Sequence, residues 1–117
     1  MRLVICNCPP ESAEDIAKEV MKVGLAAAVS AVEGVTRHFR DGDNVRSQKD
    51  SLLFIHTVEE RFQELAELVA KMQPGSMPEI ITLEIFEGEG NYIDWAEEHL
   101  KKVEPKETKK GSKKKKK

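Results

Sequence analysis

Cys6 and Cys8 are the side chains of this 117-residue chain best suited to chemistry. Side chains two apart on an extended strand point to the same face, so the two sulfurs lie side by side. That arrangement is poor for a disulfide between them. Soft thiolates prefer copper(I) or zinc, and with one carboxylate they would bind such an ion if the groups converge. The competing reading is packing, because buried strand cysteines behave as small hydrophobes. Gln73 can form hydrogen bonds but is a poor metal ligand. His38, His56 and His99 share no spacing and do not form a zinc set. Gly88-Glu89-Gly90 lacks the third, helix-opening glycine of a nucleotide loop, and its acidic centre repels phosphate. No Ser/His/Asp or Cys/His set can be placed in one site, so a catalytic function is not expected.

The elements that position these residues follow from hydrophobic periodicity. Residues 2–8 read as a short buried strand ended by Pro9-Pro10. Ser12 and Asp15 have the spacing of a capping box. Ala13, Ile16, Ala17, Val20 and Val23 follow at helical spacing, and Gly24 is the stop. Residues 25–56 predict one long hairpin with an apolar base and a charged tip. Asp41-Gly42-Asp43-Asn44 is its turn, and Glu33-Gly34 marks a bulge or bend. Thr57 and Glu60 form a second capping box. The helical stripe Val58, Phe62, Leu65, Ala66, Val69 and Met72 then runs to Pro74-Gly75. Glu79–Phe86 reads as a strand. Asn91 and Asp94 open a short last helix, on which Tyr92 and Trp95 are the expected core anchors. The order β-α-β-β-α-β is the split βαβ pattern, an α+β ferredoxin-like sandwich with both main helices on one sheet face.

Charge is unevenly placed. Residues 1–104 hold 11 Lys/Arg against 20 Asp/Glu, a net of −9, and residues 105–117 hold eight lysines against one glutamate, a net of +7. An acidic body argues against a nucleic-acid groove, which needs clustered basic side chains. No apolar run approaches the roughly 18 residues of a membrane span. The start has no signal-peptide layout, so the expected location is the cytoplasm, with both cysteines reduced. The domain is expected to span 1–104. Residues 105–117 are expected to be a disordered Lys-rich tail, having nothing apolar to bury.

Six pieces of the chain, in order, are similar to a known family. Val4-Ile5-Cys6-Asn7 precedes Pro9 and the first helix, and Gly24-Leu25-Ala26-Ala27 follows that helix. Asp41-Gly42 falls where the family has W-x-G-K. Asp50 to Thr57 resembles E-x-x-L-x-I-K-T. Gln73-Pro74-Gly75-Ser76-Met77-Pro78-Glu79-Ile80 resembles H-P-Y-x-x-P-E-I, and Tyr92-Ile93-Asp94-Trp95 resembles Y-x-x-W. On these residues the chain resembles the CutA divalent-cation tolerance proteins, over residues 2 to about 102.

The resemblance implies a homotrimer, with the long hairpin pairing between subunits. It also implies a non-enzymatic role in tolerance or binding of copper or another divalent metal. The family's metal ligands map onto Cys6 and Glu79. The family histidine is replaced by Gln73, which with Cys8 is expected to line the cleft. The alternative is a PII-like regulatory or scaffold trimer that binds a small molecule or protein partner between subunits.

Overall fold

The computed structural model describes residues 1–73 and 77–102, without the side chains of the last two. Seven elements follow in the order β1 (Arg2–Cys8), α1 (Pro10–Lys22), β2 (Ala28–Asp41), β3 (Asn44–Thr57), α2 (Glu59–Lys71), β4 (Glu79–Glu84) and α3 (Gly90–Lys102). The four strands form one antiparallel sheet in the order β2-β3-β1-β4. This is the ferredoxin-like arrangement expected from the element order.

Each face of the sheet has its own character. Val4, Cys6, Cys8, Leu53 and Ile55 are buried against Ala13, Ile16 and Val20 of α1 and Leu65 and Val69 of α2. Burial of each large apolar side chain in this layer contributes about 1.5–3 kcal/mol. The opposite face carries Leu3, Ile5, Leu52 and Phe54 half-buried, with Val32, Ile81 and Leu83 exposed. Neither α1 nor α2 covers it.

The hairpin turns at Gly42, whose φ is +66°, while the next loop residue keeps a negative φ. That combination matches a type II′ turn, whose twist suits antiparallel strands. The register slips between Val32 and Val35, and Gly34 sits in the slip with φ +75°. This is the expected bulge. β1 ends opposite Ser51, so residues 35–50 continue beyond it as a two-stranded arm.

Several local expectations are corrected. Neither α1 nor α2 has a capping box. Pro9 is the N-cap of α1 and Pro10 takes the first helical position, where its missing N–H costs nothing. Val58, not Thr57, is the N-cap of α2. The Thr57 side chain is fully buried and donates to the Leu25 carbonyl at 2.7 Å, which ties β3 to the end of α1. Thr57→Val removes that donor at nearly constant volume. It should lower the unfolding free energy by about 1–2 kcal/mol in a urea titration. An unchanged midpoint would mean that the hydroxyl contributes nothing.

At α3 the cap is the Glu89 carboxylate, which accepts from the Tyr92 N–H at 2.8 Å, rather than Asn91. The helix has 13 residues, as many as α1 or α2, and is not short. Ala96 and Leu100 anchor it against Ala27, with Tyr92 packed alongside. Trp95 is 46% exposed and lies between Tyr92 and His99 on the surface, so it is not a core anchor. β4 stops at Glu84, and Phe86 is almost fully exposed. The proposed stop at Pro74-Gly75 and the Lys-rich tail lie outside the described residues. The helix before Pro74 ends at Lys71, with Met72 as its C-cap.

Candidate functional site

β1 ends at Cys8 because Pro9 cannot donate to a ladder. Beyond that end, the bulged arm curls over the uncovered face and encloses a cleft of about 350 Å³. Its wall includes Asn7, Cys8, Arg37, Phe39, Gln48, Asp50, Gln73 and Glu79.

Asp50 is the most buried charge here, at 4% exposure. A carboxylate removed from water is costly unless its oxygens are satisfied. Asn7 Nδ2 donates to one oxygen and Gln48 Nε2 to the other, both at 3.0 Å. Arg37 reaches across from the arm and pairs with Glu79. Its guanidinium also lies 4.2 Å from the centroid of the Phe39 ring, a cation–π contact. Two of the three charges in the cleft are therefore paired, and the third is held by neutral amides.

Under the cleft floor lie the two thiols, both free and both at most 2% exposed. Cys6 Sγ donates to the Asn7 carbonyl at 3.6 Å and Cys8 Sγ to the Ser51 carbonyl at 3.9 Å. Gln73 Nε2 approaches Cys6 Sγ at 4.0 Å. The neighbouring Cys8, and then burial, push the Cys6 thiol up, while the nearness of Cys6 holds Cys8 below its ordinary value.

Of the residues singled out in the sequence, Cys8, Gln73 and Glu79 line the cleft. Cys6 does not join Glu79. In the β1–β4 register Cys6 faces Ile80, and Glu79 faces Asn7. Neighbouring positions alternate between faces, so Cys6 points to the helices and Glu79 to the uncovered side. The expected Cys6–Glu79 ligand pair is therefore not assembled within one chain, and Glu79 already holds Arg37. Among the described residues no group of three or more His, Cys, Asp or Glu side chains could hold a metal ion. His56 bonds through Nδ1 to the Tyr92 hydroxyl, and His99 through Nδ1 to the Trp95 carbonyl, well apart from each other along the chain. Sequence reasoning missed Asn7, Arg37, Gln48 and Asp50 as cleft residues. Arg37, Gln48 and Asp50 fall at alternating positions of the hairpin, but the bulge and the curl of the arm decide where they meet.

A ferredoxin-like domain with an uncovered sheet face, a projecting hairpin arm and a cleft at its base defines a class of small α+β proteins. Within that class, the profile of the CutA1 divalent ion tolerance proteins matches residues 2–99. The chain belongs to this family. It is 36% identical over 98 residues to the divalent-cation tolerance protein CutA of Thermus thermophilus, covering 83% of this chain and 95% of that protein. The solved structure of the Thermus thermophilus protein superposes with a TM-score of 0.80, covering 85% of this chain and 98% of that one. A CutA homolog of Danio rerio is 31% identical over 97 residues, covering 82% of this chain and 65% of that protein. The Archaeoglobus fulgidus CutA structure, described as a periplasmic divalent cation tolerance protein, is 25% identical with a TM-score of 0.79. It covers 86% of this chain and 99% of its own. Among the described residues no helix is long and apolar enough to cross a membrane.

Proposed function

We propose that this protein is a non-enzymatic homotrimer serving metal-ion tolerance, with the cleft at the base of the arm as its ligand-reading site. The observation that carries the assembly is the uncovered sheet face together with the arm. Ile81 and Leu83 are 57% and 48% exposed there, and Val32 is 44% exposed. Residues 35–50 form only a two-stranded ribbon, which is marginal in water without a further partner. A second copy's sheet supplies that partner, and three copies arranged around one axis cover all three faces. The non-enzymatic reading rests on the cleft's polar groups, which hold one another instead of activating a nucleophile. A reducing, cytoplasmic setting suits the two buried free thiols.

Light scattering on the eluting full-length chain tests the assembly. The expected mass is three times the 13.2 kDa of one chain, and a monomer mass overturns the proposal.

A second reading, a PII-like trimer that takes a small molecule, is favoured by the cleft volume, which falls in the range of small-ligand pockets. A thermal-shift series separates the two, since stabilisation grows with ligand concentration over its dissociation constant. A shift with a nucleotide and none with copper selects the second reading.

A further inference from the structure

We propose that the cleft at the base of the arm takes a small primary alkylammonium ion, with Asp50 as its counter-charge. This rests on the reading of the cleft as the ligand site and names the chemical class of the ligand. Two carboxylates, Asp50 and Glu79, and one guanidinium, Arg37, line the wall, which leaves one negative charge over. Glu79 is the carboxylate that Arg37 holds. Asp50 is the one left over, and it is 4% exposed. Among the described residues no cation pairs with it. Basic side chains close to it in sequence are engaged elsewhere: Lys49 Nζ donates to Thr36 Oγ1, and Arg46 pairs with Asp41. A charge removed from water without a partner of opposite sign is costly. A cation entering the cleft supplies that partner where solvent screens the attraction weakly.

The neighbouring amides select the kind of cation. Asn7 and Gln48 each spend an N–H on Asp50, which sets how their amides are turned. Each keeps a carbonyl oxygen, and an amide oxygen only accepts. With the Asp50 carboxylate they offer three accepting groups. A primary ammonium carries three N–H donors and no acceptor, so the counts match. A divalent metal ion matches less well. Calcium takes about six to eight oxygens, and among the described residues no group of three or more His, Cys, Asp or Glu could hold a metal.

The rest of the wall suits an alkyl stem. A cleft of about 350 Å³ exceeds what a bare ion fills, and Pro9, Phe39 and Met77 give it apolar lining. Small-molecule sites combine such lining with a few placed polar groups. Binding is non-covalent, so no bond is broken and no electron moves.

The test titrates the full-length, isotope-labelled chain with n-butylammonium chloride, against sodium chloride at matched ionic strength. The side-chain amide NMR signals of Asn7 and Gln48 should shift saturably, with a midpoint in the millimolar range. n-Butanol has the stem without the charge, and tetramethylammonium has the charge without N–H donors. Neither should move those signals. An equal shift with either control overturns the proposal, as does no shift with n-butylammonium. Asp50→Asn keeps the shape and removes the charge. It should weaken binding by at least about tenfold, because hydrogen bonds to charged groups are the stronger ones. Undiminished binding by the folded variant overturns the assignment. If Asp50→Asn does not fold, the amide signals and the two control ligands on the unaltered chain decide. Shifts at the same amides with copper or a nucleotide, and none with n-butylammonium, overturn the ammonium alone. If none of the three moves them, the reading of the cleft as the ligand site falls as well.

Discussion

Lysines in place of Ile81 and Leu83 should turn the proposed trimer into folded monomers. Both residues stand on the uncovered sheet face, 57% and 48% exposed in the single chain. They lie opposite Ile5 and Leu3 in the β1–β4 register, so four apolar side chains form one patch. A long charged side chain at a position already half in water costs the isolated fold little, within about 0.5 kcal/mol. The same side chain inside a subunit contact is expensive. An unpaired ammonium removed from water costs several kcal/mol, and every copy contributes two. Scattering should therefore report one chain mass, with circular dichroism unchanged. If the mass stays at three chains, the uncovered face is not the contact. If the circular dichroism collapses, the single chain does not fold without its partners. The milder pair Ile81→Ser and Leu83→Ser then tests the contact through the protein concentration at which the mass falls.

Leu53→Ala should destabilise the fold by about 2–5 kcal/mol. Leu53 is fully buried in the centre of β3, between Cys6 on β1 and Ala31 on β2 in the paired strands. It belongs to the layer that α1 and α2 cover, so its removal leaves a cavity that helices and sheet would both have to move to fill. Urea titration at one fixed protein concentration reads the loss, because assembly adds stability by mass action. Phe86→Ala is the matched surface change. Phe86 is 96% exposed, and its truncation should shift stability by less than about 0.5 kcal/mol in the single chain. A large loss at Phe86 would place that side chain in a subunit contact. A small loss at Leu53 would mean that the core closes over the gap.

The two positions also mark the limits of pattern reading. Leu53 is legible because Leu53 and Ile55 recur at period two in a run bounded by Asp50 and Thr57, as a strand with one covered face requires. Ile81 and Leu83 carry the same alternation, yet nothing local says that their face lacks a helix. Only the side of the sheet on which α1 and α2 both settle decides that. The caps depart from the sequence pattern for a related reason. Ser12 and Thr57 have the right spacing for capping boxes. Pro9-Pro10 instead sets the start of α1, and the Thr57 hydroxyl goes to Leu25, 32 residues away in sequence. Trp95 is an expected core anchor in the sequence, but α3 turns Ala96 and Leu100 inward instead.

The two thiols themselves follow from the sequence alone. Their shared strand and shared face come from a spacing of two on an extended chain, which no tertiary contact can alter without breaking the strand. Their surroundings do not. The pleat sends Glu79 to the far side, the β1–β3 register brings Ser51 opposite Cys8, and the bulge at Gly34 curls Arg37 over to Glu79. Local spacing determines which way a side chain points, because backbone geometry repeats. Which groups it meets depends on register and crossover, and those are settled only when distant segments pack together.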